Sequence, residues 1–312
     1  MVPNTDKRDG RKMNHVAVHN ETPTRPALRW HGGKWLLAPW IIDHFPPHRV
    51  YVEPFGGAAS VLIQKPRSYG EIYNDLDDGA VNLFRVLRSD RAGELVEAVR
   101  LTPFARTEFK ATYADAEDPV EQARRLIVRS FMGFGSNGHN PSVRTGFRAN
   151  SNRSGTTPAH DWVNYPPALA MIVERFQGVV VESRPATDCM EQHDGPDTLH
   201  YVDPPYMPAT RSQKTRRGKT RYHVYQHELT AEDHAQLLAF LGGIKGMVVL
   251  SGYPAALYDD ALADWHRVER PALADGAQAR TEVLWINPAA WAATRLQPTL
   301  FHASDNRTKE RD

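Results

Sequence analysis

A carboxylate, two prolines and an aromatic ring stand in a row at Asp203-Pro204-Pro205-Tyr206, directly after the apolar run Leu199-His200-Tyr201-Val202. The prolines remove two backbone donors and fix φ at both positions. Carbonyls, carboxylate and ring are thereby held in one orientation where a buried strand ends. Open α/β sheets bind their ligands at such strand ends. The same residues also suit an ordinary strand–turn junction that contains an Asp.

Three other groups could do chemistry. Glu53-Pro54-Phe55-Gly56-Gly57-Ala58-Ala59 follows a short apolar run and opens a helix. Small residues there let backbone approach a ligand closely, although the G-x-G-x-x-G dinucleotide spacing is absent. Asp75 ends the next apolar run, about 20 residues on, where an acid suits ribose hydroxyls; it could equally cap a helix. Arg29-Trp30-His31-Gly32-Gly33-Lys34-Trp35 offers a flat wall, close backbone and one cation to an aromatic ligand with a carboxylate, or is simply a turn with flanking aromatics.

Charge is nearly balanced over the 312 residues, at +1, but unevenly placed. From Met207 to His227 the chain carries Arg211, Lys214, Arg216, Arg217, Lys219 and Arg221 without an acid. Between Ala123 and His160 it carries Arg124, Arg125, Arg129, Arg144, Arg148 and Arg153, again without an acid. Two basic segments on a balanced chain suggest a polyanion footprint, or else two solvated loops. The single cysteine, Cys189, excludes an internal disulfide framework and a multi-cysteine zinc site, and fits a reducing interior. His139 and His160 have no clustered ligands beside them and read as solvated loop histidines, so no metal is expected. No run approaches the roughly 18 apolar residues of a membrane span, and the polar N-terminus shows no secretory signal.

The elements that must position these groups alternate. Strands are expected at 49–52, 71–74, 178–182, 199–203, 247–251 and 282–287, and helices at 78–88, near 119–131, and after a capping box at Thr230 and Asp233. Near-continuous apolar strands separated by helices predict an α/β protein with a mostly parallel sheet covered on both faces. Residues 1–24 and the tail at 299–312 are polar and aperiodic and are expected to be disordered. The stretch 96–165 breaks the alternation and reads as an inserted subdomain, since long loops inside compact domains are usually functional or mobile.

Taken in order, Arg29-Trp30-x-Gly32-Gly33-Lys34, Val52-Glu53-Pro54-Phe55-x-Gly57-Ala58-x-Ser60, Asn74-Asp75 and Asp203-Pro204-Pro205-Tyr206 resemble the Dam-type (D12 class) DNA N6-adenine methyltransferases over residues 25–298. Tyr222-His223, Leu250-Ser251-Gly252-Tyr253 and Arg280-Thr281-Glu282-Val283-Leu284-Trp285 resemble phage-borne members, for which restriction–modification is one setting. The resemblance implies a Rossmann-like fold of the kind used by S-adenosylmethionine-dependent methyltransferases. It divides the chain into a catalytic domain (25–95 and 166–298) and an inserted, mainly helical DNA target-recognition subdomain (96–165).

The resemblance also implies S-adenosylmethionine as cofactor, held by Trp30, Lys34, Glu53, Pro54, Phe55, Gly56, Gly57, Ala58, Asp75 and Asp203. Ala59 stands where the family often has a second glycine, so added bulk there is expected to weaken cofactor binding mildly. Double-stranded DNA is the implied partner, gripped or read by Asn137, Asn140, Arg144, Arg148, Arg153, Arg211, Lys214, Arg216, Arg217, Lys219 and Arg221. In the implied reaction Asp203 and the Pro204 carbonyl accept from the N6 amine of an adenine flipped out of the duplex. Tyr206 stacks on the base and Pro205 is structural. A cytoplasmic, DNA-associated monomer or weak dimer, with no metal and no membrane partner, completes the expectation. The alternatives are N4-cytosine or RNA amino-methylation, which pose the same exocyclic-amine problem, and a non-catalytic DNA-binding protein on a decayed methyltransferase fold.

Overall fold

The computed structural model describes residues 22–135, 144–150, 155–207, 214–216, 219–221, 228–274 and 278–295. Apart from 22–24, the two expected tails lie outside these residues.

The chain begins α1 (Ala38–Ile42), β1 (Val50–Glu53), α2 (Ser60–Gln64), β2 (Gly70–Asn74), α3 (Asp78–Leu87). There follow α4 (Ala92–Leu101), α5 (Arg106–Ala111), α6 (Pro119–Met132), α7 (Pro158–Val163) and α8 (Tyr165–Phe176). β3 (Val179–Glu182), α9 (Ala186–His193) and β4 (Thr198–Val202) lead to a short antiparallel pair, β5 (Lys214–Arg216) and β6 (Lys219–Arg221). The rest is α10 (Ala231–Leu241), β7 (Met247–Gly252), α11 (Ala256–Ala261), β8 (His266–Ala274), β9 (Gln278–Ile286) and α12 (Pro288–Arg295).

Seven strands form one sheet in the order β3-β2-β1-β4-β7-β9-β8. β3, β2, β1, β4 and β7 run parallel, while β9 is antiparallel to both β7 and β8. From β1 the chain builds outward through β2 to β3, then returns to β4 on the other flank of β1. The strand order therefore reverses between β1 and β4, and their carboxyl ends carry Glu53-Pro54 and Asp203-Pro204. A crevice at such a switch point is where open α/β sheets bind ligands.

Alternation along the strands separates two apolar faces, as period-2 geometry requires. Tyr201, Val249, Leu284 and Ile286 face one cluster, with α2, α3, α6 and α8. Val202, Val248, Leu250 and Trp285 face the other, with α10 and α11. Central strands β4 and β7 are buried throughout, which is why their sequences are nearly continuous apolar runs. The expected two-sided, mostly parallel sheet is thus what the chain forms.

β8 has no counterpart among the strands expected from sequence. His266-Arg267-Val268-Glu269-Arg270-Pro271 is charged and contains a proline, features that an edge strand tolerates and a central one does not. Its pairing with β9 lengthens that strand back to Gln278, four residues before the expected start. The β8–β9 ladder runs on past the β7 pairing, which ends at Gly252↔Val283. The hairpin therefore extends beyond β7 at the same end of the sheet as Asp203.

Helix ends follow from local chemistry. Asp77 caps α3, Asp118 caps α6 ahead of Pro119, and Thr230 with Asp233 forms the expected capping box on α10. In the 96–165 stretch, α6 places Leu126, Ile127 and Phe131 in the same apolar cluster as the sheet, beside Phe84 and Tyr165. Each such fully buried side chain contributes about 1.5–3 kcal/mol relative to exposure. Among the described residues no helix is long and apolar enough to cross a membrane.

Candidate active site

β1 ends in a turn held from three sides. The Gly56 N–H donates to the Asn74 carbonyl (2.8 Å), the Gly57 N–H to Asp75 Oδ2 (2.7 Å), and the Tyr73 hydroxyl to the Gly57 carbonyl (2.8 Å). The glycines are sterically required. A Cβ at Gly56 would lie 2.2 Å from the Tyr73 ring, and Gly57 has φ +47° with its missing Cβ 2.7 Å from Trp30 Nε1. Trp30 thus packs directly on the turn.

Ala59 occupies the left-handed region, at φ 53°, and is the N-cap residue of α2. It is fully buried in the core and does not line the cleft. The expectation that its bulk bears on the cofactor is therefore corrected: the methyl points into packed interior, and its consequence is backbone strain of roughly 1–2 kcal/mol. An alanine cap offers α2 no side-chain acceptor. Glu53 supplies one from β1, its Oε2 accepting from the Leu62 N–H (3.0 Å) and from the Tyr51 hydroxyl (2.8 Å). Burial pushes the Glu53 carboxyl up to about 8, against the pull of these two hydrogen bonds.

Asp75 is not a helix cap; Asp77 fills that role. Asp75 Oδ2 accepts from Gly57 N and Oδ1 from Asp77 N, each at 2.7 Å. A carboxylate offers about four lone-pair sites, so the two fixed by backbone leave others for hydroxyl donors. Burial raises its pKa, opposed by the backbone N–H groups.

At the end of β4, Asp203 meets Lys34. The ammonium donates to Asp203 Oδ1 (2.7 Å), Oδ2 (2.9 Å) and the Gly32 carbonyl (3.1 Å). Ser251 Oγ, at the end of β7, donates to Asp203 Oδ1 (3.0 Å) and pairs with the Tyr201 hydroxyl (3.0 Å). Burial raises the Asp203 pKa, while Lys34 and Ser251 oppose the rise. Tyr206 turns away from this carboxylate. Its hydroxyl donates to Glu282 Oε1 (2.7 Å), Lys34 Nζ lies 4.6 Å from its ring centroid, and the Tyr253 ring packs against it at 4.3 Å.

An open cleft of about 960 Å³, its mouth included, joins these groups. Trp30, Lys34, Glu53 through Ala58, Asp75, Asp203, Pro204 and Pro205 all line it, with Tyr201, Asp77 and Leu229. Tyr206 stands behind the wall. Ser251, Tyr253 and Glu282 are functional candidates that reasoning on residue types did not single out one by one. They lie in the two C-terminal segments, Leu250–Tyr253 and Arg280–Trp285, whose resemblance to phage-borne proteins was their signal. Among the described residues no group of three or more His, Cys, Asp or Glu could hold a metal ion.

The basic segments are placed in part. Arg148 ties the 144–150 segment to α6: its backbone N–H donates to Met132 O (2.8 Å) and its guanidinium to Phe131 O (3.0 Å). Arg144 lies 5.5 Å from the Tyr113 ring. Asn137, Asn140, Arg153, Arg211 and Arg217 lie outside the described residues, as does His139. His160, expected in a loop, instead lies in the first turn of α7, exposed, with its backbone N–H donating to the capping Thr157 Oγ1. The 211–221 segment, expected as a loop, contains the β5–β6 hairpin carrying Lys214, Arg216, Lys219 and Arg221 on its strands. Its signal was Lys-Thr-Arg repeated on either side of Arg217-Gly218, each triplet centred on a β-branched threonine.

Comparison with known proteins gives one family. The model of the D12 class N6 adenine-specific DNA methyltransferases matches residues 30–249. The chain is 27% identical over 271 residues to a DNA adenine methylase of Salmonella typhimurium, covering 83% of this chain and 92% of that protein. It is 27% identical over 230 residues to the DNA adenine methylase of Escherichia coli K12, covering 70% and 76%. A DNA adenine methylase of Vibrio cholerae is 31% identical over 121 residues, 36% of this chain and 42% of that protein.

Proposed function

The chain belongs to the D12 class N6 adenine-specific DNA methyltransferases, and from that premise we propose that the β1/β4 cleft binds S-adenosylmethionine and presents an adenine, flipped from duplex DNA, to Asp203. The observation that carries this reading is the arrangement of two half-buried carboxylates, Asp75 and Asp203, on one cleft with Trp30 and a sterically obligatory glycine turn.

The donor set suits that cofactor. Asp75, with lone pairs left over from Gly57 and Asp77, accepts the ribose hydroxyls, and Trp30 walls the turn against which the rest of the cofactor lies. The bound cofactor supplies an electrophilic methyl group on a sulfonium. Everything else is the work of the chain. An exocyclic adenine amine is conjugated to its ring and is a poor nucleophile. Asp203 and the Pro204 carbonyl each accept one N6–H bond, which localises the nitrogen lone pair on one side, a positioning and electrostatic effect. The double proline fixes the angle between these acceptors. Tyr206, set behind the cleft wall with its ring against Lys34 and Tyr253, braces Glu282 and Lys34 rather than offering a free face to the base. Arg144 with the 137–153 stretch, and the β5–β6 hairpin with Arg211 and Arg217, contact DNA; residues 96–165 are the target-recognition part of the molecule.

The test is a nucleoside digest. Purified protein, labelled S-adenosylmethionine and mixed-sequence unmethylated duplex are incubated, and the labelled nucleosides separated. The expected label is on N6-methyladenine; label on N4-methylcytosine alone would move the flipped base from adenine to cytosine.

A further inference from the structure

We infer that Glu282 is a positioning residue for Asp203: it draws in the Lys34 ammonium when a substrate N6–H takes an Asp203 oxygen. The inference rests on the reading that Asp203 accepts from N6.

The Asp203 carboxylate is already engaged. Lys34 donates to both of its oxygens and Ser251 to one of them, so three of about four lone-pair sites are taken. The one site left is where an N6–H can donate, and a fourth donor on the same carboxylate weakens the grip of the ammonium. A buried ammonium that gives up a carboxylate without a replacement is left as an uncompensated buried charge. The replacement is in place. Glu282 Oε1 lies 3.7 Å from Lys34 Nζ, so a shift of about 1 Å brings the two to hydrogen-bond distance. The same Oε1 accepts the Tyr206 hydroxyl, which holds the carboxylate toward Lys34. β9 fixes the backbone beneath it, with Val283 paired to Gly252 of β7.

The charge of Glu282 needs a reason. The side chain is 3% exposed, and its pKa is raised by burial and by Asp203, against Lys34 and Tyr206. A glutamine would accept from Tyr206 and fill the same volume at lower desolvation cost. What the negative charge adds is a second resting place for a cation that Asp203 must share.

The test is Glu282→Gln, which keeps an acceptor for Tyr206 and removes the charge. Single-turnover methyl transfer is measured at saturating S-adenosylmethionine on unmethylated duplex DNA, with thermal unfolding and cofactor affinity measured on the same samples. The expected result is transfer slowed about 100-fold, the scale of a misplaced reacting group, with affinity and unfolding temperature nearly unchanged. In a Lys34→Gln background the same substitution should add less than about 3-fold, since a residue acting through Lys34 has nothing left to act on. Wild-type transfer by Glu282→Gln overturns the inference, and so does an equal slowing with and without Lys34. Asp203→Ala is run alongside: if it transfers as wild type, the reading of Asp203 itself fails, whereas an inactive Asp203→Ala with an unaffected Glu282→Gln removes only the role of Glu282.

Discussion

At the scale of single residues, the site is a set of buried and half-buried acids, each held by its own partners. Asp75 is fixed by backbone N–H groups, Asp203 by a lysine and a serine, and Glu53 by a tyrosine hydroxyl and a helix terminus. Asp203→Ala is expected to lower methyl transfer at least 100-fold while DNA affinity stays within a few-fold, measured by single turnover and by equilibrium DNA binding. Glu53 makes a separate prediction in stability. Its folded pKa of about 8 exceeds the ordinary 4.5, so between these pH values the folded state holds a proton that the unfolded state has released. Stability therefore falls as pH rises across that window. Glu53→Gln keeps an acceptor for Leu62 and Tyr51 and loses the titration. Its melting temperature should match wild type near pH 5 and exceed it at pH 8, by on the order of 5 °C. Parallel melting curves across that range would remove Glu53 as the titrating group.

At the scale of elements, the turn between β1 and α2 concentrates the strain. Gly56→Ala drives a methyl into the Tyr73 ring, so a destabilisation of about 1–3 kcal/mol is expected from denaturant unfolding. Ala59→Gly relieves a left-handed alanine but removes a buried methyl worth about 0.8 kcal/mol and loosens the unfolded chain. These terms oppose, and the net change should stay within about 1 kcal/mol. Much of this scale was legible from residue types: strand and helix positions followed apolar period, and the capping box at Thr230 followed its spacing. β8 was not, because its residues advertise solvent and a break; only pairing with β9 makes them a strand. The β5–β6 hairpin was missed for a different reason, since each of its strands carries only one β-favouring residue, Thr215 or Thr220, between two cations.

At the scale of the whole molecule, a nearly neutral chain must attract a polyanion through local charge. Replacing Arg216, Arg217 and Lys219 by glutamine is expected to weaken DNA binding and to flatten the dependence of log K on log salt by about 0.9 for each phosphate that is no longer neutralised. An unchanged slope would make the segment around β5 and β6 a bystander. Arg148 belongs to a different category from these residues. Its guanidinium is engaged by the Phe131 carbonyl, so it links the 144–150 segment to the core through α6. The stretch 96–165 accordingly sits on the same apolar cluster as the sheet, and the position of any recognition surface it carries is tied to the catalytic cleft.

Residue order alone determined the family resemblance, the parallel core and the identity of most cleft residues. Short motifs at strand ends encode their chemistry locally, and apolar runs encode burial. Tertiary structure decided which acid caps which helix, where the Ala59 methyl points, and that Lys34 grips Asp203 with Glu282 beside it. Those depend on groups brought together from residues 34, 203, 251 and 282. Meetings between positions that far apart are set by sheet order and register, which no local spacing contains.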